Sequence, residues 1–205
     1  MHLKPGVEKT TDLGFFTDTV RMANKVFLFT TSAGHVKGMY TIYELVEKCN
    51  ITGKRRLVVE PEFGFILEEY QGKYMSKTIF RNSVRTFLKY PFISKYLLGP
   101  AYPASYLTLE KYGKKAWTWL DEDTPADVKD VLYTYAVRHE MLEDGQFSGI
   151  KSLYTVPKKT STTDMARLEK KNSYHHYKKL NPQWTEGYGL VTIIKFSLRN
   201  LLGSL

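Results

Sequence analysis

Residues Glu62 to Ser76 constrain the fold more than any other stretch, because they read as a strand, a tight polar turn and the first turn of a helix. Glu62-Phe63-Gly64-Phe65-Ile66-Leu67 is short, aromatic and apolar, as a buried strand is. The polar run Glu68 to Ser76 then supplies the turn. Beyond it Ile79, Phe80, Val84, Phe87 and Leu88 recur at the 3.6 period, and Tyr90-Pro91 ends the helix they define. A helix start carries unsatisfied N–H groups and the positive end of the peptide dipole. A loop that lets backbone approach such a start makes an anion site, so this junction is expected to bind phosphate.

Two further stretches frame it. Val26-Phe27-Leu28-Phe29-Thr30, a turn around Gly34, and Val36 to Tyr43 read as a hairpin, with the glycine pattern Gly34-His35-Val36-Lys37-Gly38. After a break at Gly99-Pro100, Ala104 to Gly113 ends in Leu109-Glu110-Lys111-Tyr112-Gly113. In this order, across residues 20 to 115, these stretches resemble the GCN5-related N-acetyltransferase (GNAT) superfamily. Its phosphate loop has Arg or Gln, two variable residues, Gly, one variable residue, then Gly or Ala. Here Gln71 takes the first place, Gly72 and Lys73 the variable pair, Tyr74 the first Gly, Met75 the intervening position and Ser76 the last. Tyr74 puts a phenol where the family has no side chain, whereas Ser76 is small and can donate from its hydroxyl.

The resemblance implies an α/β (α+β) fold: a GNAT-like central mixed, mostly antiparallel sheet flanked by helices, with a C-terminal extension. It also implies acyl transfer from a thioester to an amine. That reaction needs a neutral amine, a polarised carbonyl, a protonated leaving thiolate and two reactants held in line. In the family a backbone N–H before the phosphate loop polarises the thioester, which here falls at Ile66 or Leu67. The family's base is often a carboxylate on that strand, and the candidates are Glu60 and, first, Glu62. By the period of two Glu62 shares a face with Gly64 and Ile66, though Glu60-Pro61-Glu62 also reads as the exposed start of a strand. The family's thiolate acid is the Tyr of Tyr-Glu-Lys-x-Gly, where this chain has Leu109. Tyr106, one turn earlier, and Tyr112, one turn later, are the possible substitutes, as is water.

The length of 205 residues fits a single acyltransferase-like domain over residues 1–205, with 42% hydrophobic and 25% charged residues as in an ordinary globule. The first residues hold no apolar run of signal-peptide kind, and nothing approaches the roughly 18 apolar residues of a membrane span. Cys49 is the lone cysteine, which fits a reducing, cytoplasmic setting, and it reads as a core residue rather than a nucleophile. The net charge of +9 concentrates in a basic arm within residues 143–185, before the last strand. Lys151, Lys158, Lys159, Arg167, Lys170, Lys171, Lys178 and Lys179 face only Asp164 and Glu169 between residues 151 and 185. Asp164 is placed to cap a short basic helix running through Tyr177. The arm suits an anionic partner or is simply a solvated face.

The remaining chain reads as a leading helix or two short turns within Asp12 to Asn24 and a strand at Ala116 to Leu120. A helix is capped by Thr124 with Pro125 in its first position; Val128, Leu132, Tyr135, Ala136, His139 and Leu142 share its inner face, with His139 packed in the core. Tyr188 to Phe196 is a strand, and Leu198 to Leu205 an apolar tail that covers the sheet or lines an acyl pocket. His175-His176 lacks companions at ligand spacing, so no metal is assigned. The expected function is an N-acyltransferase whose donor is acetyl-CoA, a longer acyl-CoA or the phosphopantetheine of an acyl carrier protein. Its acceptor is a small-molecule amine. The rival reading is a noncatalytic basic module for nucleic acid or another anionic partner, with Tyr174, Tyr177 and Trp184 as stacking rings among the lysines.

Overall fold

The computed structural model describes residues 20–21, 23–67, 81–82, 84–152 and 162–197, with the backbone alone at 62–63, 65–66, 152 and 162–165. The hairpin forms as its turn chemistry requires: β1 (Lys25–Thr30) pairs antiparallel with β2 (Val36–Lys48). Gly34 adopts φ +82° at the turn, a conformation that glycine reaches without a Cβ clash. β2 runs on to Lys48, and a second turn with Gly53 at φ +65° leads into β3 (Arg55–Ile66). β3 is one long strand antiparallel to β2, reaching back well before the run Glu62 to Leu67 read as a strand in the sequence.

β4 (Ser94–Ala101) follows the helical residues 84–89 and lies parallel to β3. Next come α1 (Pro103–Gly113), β5 (Trp117–Thr118), α2 (Ala126–Arg138), the small hairpin β6 (Leu142–Glu143) with β7 (Gln146–Phe147), and β8 (Ile150–Ser152). The chain continues through α3 (Thr162–Glu169), α4 (Asn172–Leu180), a 3-10 turn (Pro182–Glu186) and β9 (Tyr188–Lys195). The main sheet has the order β1-β2-β3-β4-β9-β5, with β8 also on β9. Its one parallel pair among the described strands is β3 with β4, so the fold is a mixed, mostly antiparallel sheet flanked by helices.

Both faces of the sheet are covered, which is why β9 is apolar almost without interruption and buried from Gly189 to Ile194. On one face α2 packs Val128, Val131, Leu132, Tyr135 and Ala136 against Val58, Tyr96, Leu98, Val191 and Ile193. On the other, Tyr106 of α1 and Tyr177 of α4 meet Ala101, Leu190 and Ile194.

Several local expectations are corrected. The strand at 116–120 shrinks to Trp117–Thr118, since only these residues find partners on β9. Thr124 caps nothing: its hydroxyl donates to the Thr118 carbonyl at 2.8 Å, and Pro125 stands at the N-cap of α2. That helix ends at Arg138, so His139 and Leu142 lie beyond it. The basic arm holds two helices rather than one, and Asp164 falls inside α3. Leu88 is 77% exposed, whereas the buried face of the 81–89 stretch carries Asn82 and Thr86. Of the expected leading segment Asp12 to Asn24, residues 20–21 are helical and 23–24 are not; the rest of it and the tail Leu198 to Leu205 lie outside the described residues.

Candidate functional site

The ladder between β3 and β4 runs from Arg56↔Ser94 to Val59↔Leu97 and then stops, although both strands continue. The reason is in the sequence. The Cys49 N–H donates to the Lys54 carbonyl at 3.0 Å, which makes Lys48↔Arg55 a non-hydrogen-bonded pair. Counting on, the nitrogen of Pro61 points away from β2 and toward β4. The Phe196 N–H donates to the Lys95 carbonyl at 2.9 Å, so by the same count the nitrogen of Pro100 points toward β3. Each facing edge thus meets the other with a nitrogen that bears no hydrogen, and the parallel ladder cannot extend.

Beyond Pro61 a bulge sets Glu62 between the pairs Ile42↔Pro61 and Thr41↔Phe63, leaving it without a partner on β2. The bulge breaks the period of two, so Glu62 no longer counts in phase with Gly64 and Ile66 as the alternation implied. Past it the ladder with β2 resumes, and the Leu67 N–H donates to the Lys37 carbonyl at 2.9 Å. Leu67 is therefore engaged and does not offer its N–H to a thioester. The same bond makes Gly38↔Ile66 a non-hydrogen-bonded pair, so the N–H groups of Gly64 and Ile66 face away from β2, on the side of β4, which ends at Ala101. Gly64 is solvent-exposed there. The arrangement is a crevice at the carboxyl ends of two parallel strands, with two backbone donors directed into it.

Glu60, the second base candidate, is fully buried under α2. One carboxylate oxygen accepts from Arg138 Nη1 and the other lies 3.0 Å from His139 Nε2. Arg138 also donates to Glu47 at 2.9 Å; Glu47 bonds Arg56 Nε at 2.7 Å, and Arg56 Nη1 reaches Asp130 at 2.6 Å. Burial alone would lower the Arg56 pKa, but Glu47 and Asp130 outweigh it and hold the guanidinium charged. With both oxygens committed, Glu60 anchors an ion network rather than taking protons from an acceptor. His139, expected in the core, closes that network, its ring centre 4.2 Å from that of Tyr135 and tilted against it. The sequence signal was present in Arg56, Val58 and Glu60, three alternate residues of β3 that had to share the α2 face.

Another carboxylate, on a half-buried residue, lies on the opposite face. Glu44 accepts from Lys25 Nζ at 2.6 Å and from the Thr86 hydroxyl at 2.8 Å, with Asn82 Nδ2 at 3.2 Å. Burial pushes its carboxyl up, yet these hydrogen bonds and the Lys25 charge prevail and hold it below the usual value.

Of the two phenols offered as thiolate acid, Tyr106 is 2% exposed, its ring 5.4 Å from that of Tyr177. Burial first, then Asp121 and Glu110, raise its pKa. Leu109 and Tyr112 are partly buried against the same cluster, and Tyr112 retains access to solvent. Gln71, Gly72, Lys73, Tyr74, Met75 and Ser76 lie outside the described residues, as does the side chain of Glu62.

In the basic arm Lys170, Lys171, Lys178 and Lys179 are exposed, while Tyr174 and Tyr177 are 1% and 0% exposed. Tyr177 donates to the Ala101 carbonyl at 2.8 Å, and burial pushes its pKa up to about 12. These rings face the core because they are the inner stripe of α4, so they do not form a stacking platform beside the lysines. Helix α4 sends its two histidines apart: His175 meets the Glu169 carbonyl and His176 the Asp121 carboxylate, both at 2.7 Å. Among the described residues no cluster of three or more His, Cys, Asp or Glu is placed to hold a metal ion, and no helix is long and apolar enough to cross a membrane.

No family model matches this chain, and no curated protein matches it. Among solved structures, a mutant form of the BH1408 protein from Bacillus halodurans is similar over 49% of this chain and 67% of that chain, at 17% identity and a TM-score of 0.37. A likeness of that degree carries no argument about function.

Proposed function

We propose that the chain is a divergent GNAT-like acyltransferase, moving an acyl group from a coenzyme A or acyl-carrier-protein thioester to a small-molecule amine. The observation that carries this reading is the crevice at Pro61 and Pro100, where the ladder stops and the N–H groups of Gly64 and Ile66 face past the end of β4. A thioester oxygen drawn between two fixed amide donors gains most as its charge develops, which is what acyl transfer requires. In the sequence Gln71 to Ser76 follow β3, the order expected if that loop holds the donor's phosphates.

In this reading Glu62, at the bulge, is the base, because Glu60 is already committed to Arg138 and His139. Tyr112, with its access to solvent, is the better proton donor to the thiolate, since Tyr106 is enclosed. Attack of the amine nitrogen forms the C–N bond, the C–S bond breaks, and the amine proton passes to Glu62 while the thiolate takes one from Tyr112 or water. The exposed lysines of α4 favour an acidic carrier protein as one source of the donor. Buried, reduced Cys49 agrees with residence in the cytoplasm.

The test is thiol release from a series of acyl-coenzyme A chain lengths in the presence of an amine panel, with mass spectrometry of ligands carried through purification. Coenzyme A or a pantetheine adduct, with amine-dependent thiol release, is the expected result. Unchanged donor affinity in Gly72→Pro, which removes a loop N–H, would overturn the phosphate-loop assignment.

A further inference from the structure

Away from the crevice, a cavity of about 470 Å³ opens between the helical residues 84–89, the start of β4 and the residues following β9. Its described lining includes Val84, Phe87, Leu88, Ile93 and Phe196, with Phe87 and Phe196 in ring contact at 5.0 Å. Into this apolar lining is set Lys95, only 5% exposed. Its Nζ donates to the Ile93 carbonyl at 2.8 Å and sits 4.5 Å from the Phe87 ring centre. No carboxylate among the described residues forms an ion pair with it.

An ammonium group has three donors, and the carbonyl uses one. A charge buried without a counter-ion is costly, and burial accordingly lowers the Lys95 pKa. The network under α2 shows the contrast, since each of its guanidinium groups meets two carboxylates. Leu88 of the lining is 77% exposed, and Phe92, between the lining residues Pro91 and Ile93 in the chain, is 98% exposed. A pocket within the roughly 300–1,000 Å³ typical of small-molecule sites, apolar along its walls and cationic at one point, is complementary to an amphiphile with an anionic head.

We propose that this cavity binds the carboxylate end of a fatty acid, Lys95 Nζ supplying the counter-ion and Val84, Phe87, Leu88 and Phe196 the contacts along the chain. The site stands on the first residues of β4, whereas the crevice lies toward Pro100 at its other end, so it does not rest on the acyltransferase reading.

Isothermal titration of the full chain with laurate, below its micelle concentration, tests this, with dodecanol as the neutral comparison. One laurate is expected to bind per chain, at least tenfold more tightly than dodecanol, and Lys95→Met is expected to weaken laurate at least tenfold with little effect on the alcohol. No laurate binding, or equal binding of acid and alcohol to the unaltered protein, overturns the proposal without reference to any variant. Equal laurate binding by a folded Lys95→Met protein does so as well.

Discussion

A Cβ placed on Gly113 would lie 2.6 Å from Cβ and 2.7 Å from Cγ2 of Ile194, so the last turn of α1 touches β9 with nothing between backbone and side chain. Glycine stands here for closeness of approach. Gly113→Ala would gain up to about 1 kcal/mol of helix preference, but the overlap it forces typically costs 1–3 kcal/mol. Urea denaturation should show a net loss of stability, and a stabilised variant would mean that α1 moves freely off the sheet.

The Glu60 network makes a larger claim. Glu60→Ala takes from Arg138 one of its two carboxylates and from His139 a buried hydrogen-bond partner, so it should cost about 1–3 kcal/mol. Pairing it with Arg138→Met in a double-mutant cycle should recover a substantial part of that loss. Strict additivity of the two substitutions would count against the network.

Glu44 makes stability depend on pH with a definite sign. Its folded pKa is held below the ordinary 4.5, so its contribution is full above that value and is lost as pH falls through the folded pKa. Glu44→Gln should be less stable than the parent protein at neutral pH, and the difference should shrink on acidification below about pH 4.5. Unfolding midpoints measured from pH 3 to 7 decide this; a constant difference would assign the effect to packing.

For the crevice, Glu62→Gln should lower amine-dependent turnover by about 10²-fold or more while donor binding holds, as expected when a general base is removed. Substitution of Glu60 should instead act through stability, so steady-state rates and urea midpoints measured on both variants separate base from anchor. Equal turnover in Glu62→Gln and the parent would remove Glu62 from the mechanism.

Tyr106 and Tyr112 should also behave differently. Tyr106→Phe changes a ring enclosed by Tyr177, Ala116 and Ile194 and should leave thiol release intact. Tyr112→Phe should slow it. The reverse pattern, read from thiol release at saturating donor, would exchange their roles.

Much of the architecture was legible because it rests on local rules. The hairpin around Gly34, the buried run of β9 and the inner stripe of α2 from Val128 to Ala136 each follow from turn chemistry or periodicity within one segment. Where a local rule met a non-local competitor it failed. Thr124 had the chemistry of a cap, yet the Thr118 carbonyl claimed its hydroxyl, and Leu88 kept helical phase but found no sheet beneath it.

The amino-acid order alone determined that Pro61 and Pro100 lack a hydrogen, that Lys95 would be costly to bury, and that Tyr174 and Tyr177 share one side of a helix. Only tertiary structure decided that the two prolines stand on facing edges, that Lys95 closes an apolar cavity, and that the tyrosines turn inward. Likewise Glu60 carried no mark of its fate until α2 brought Arg138 and His139 against it. The physical reason is that covalent identity and short-range periodicity act within a few residues, whereas pairing, burial and charge neutralisation are settled between segments dozens of residues apart.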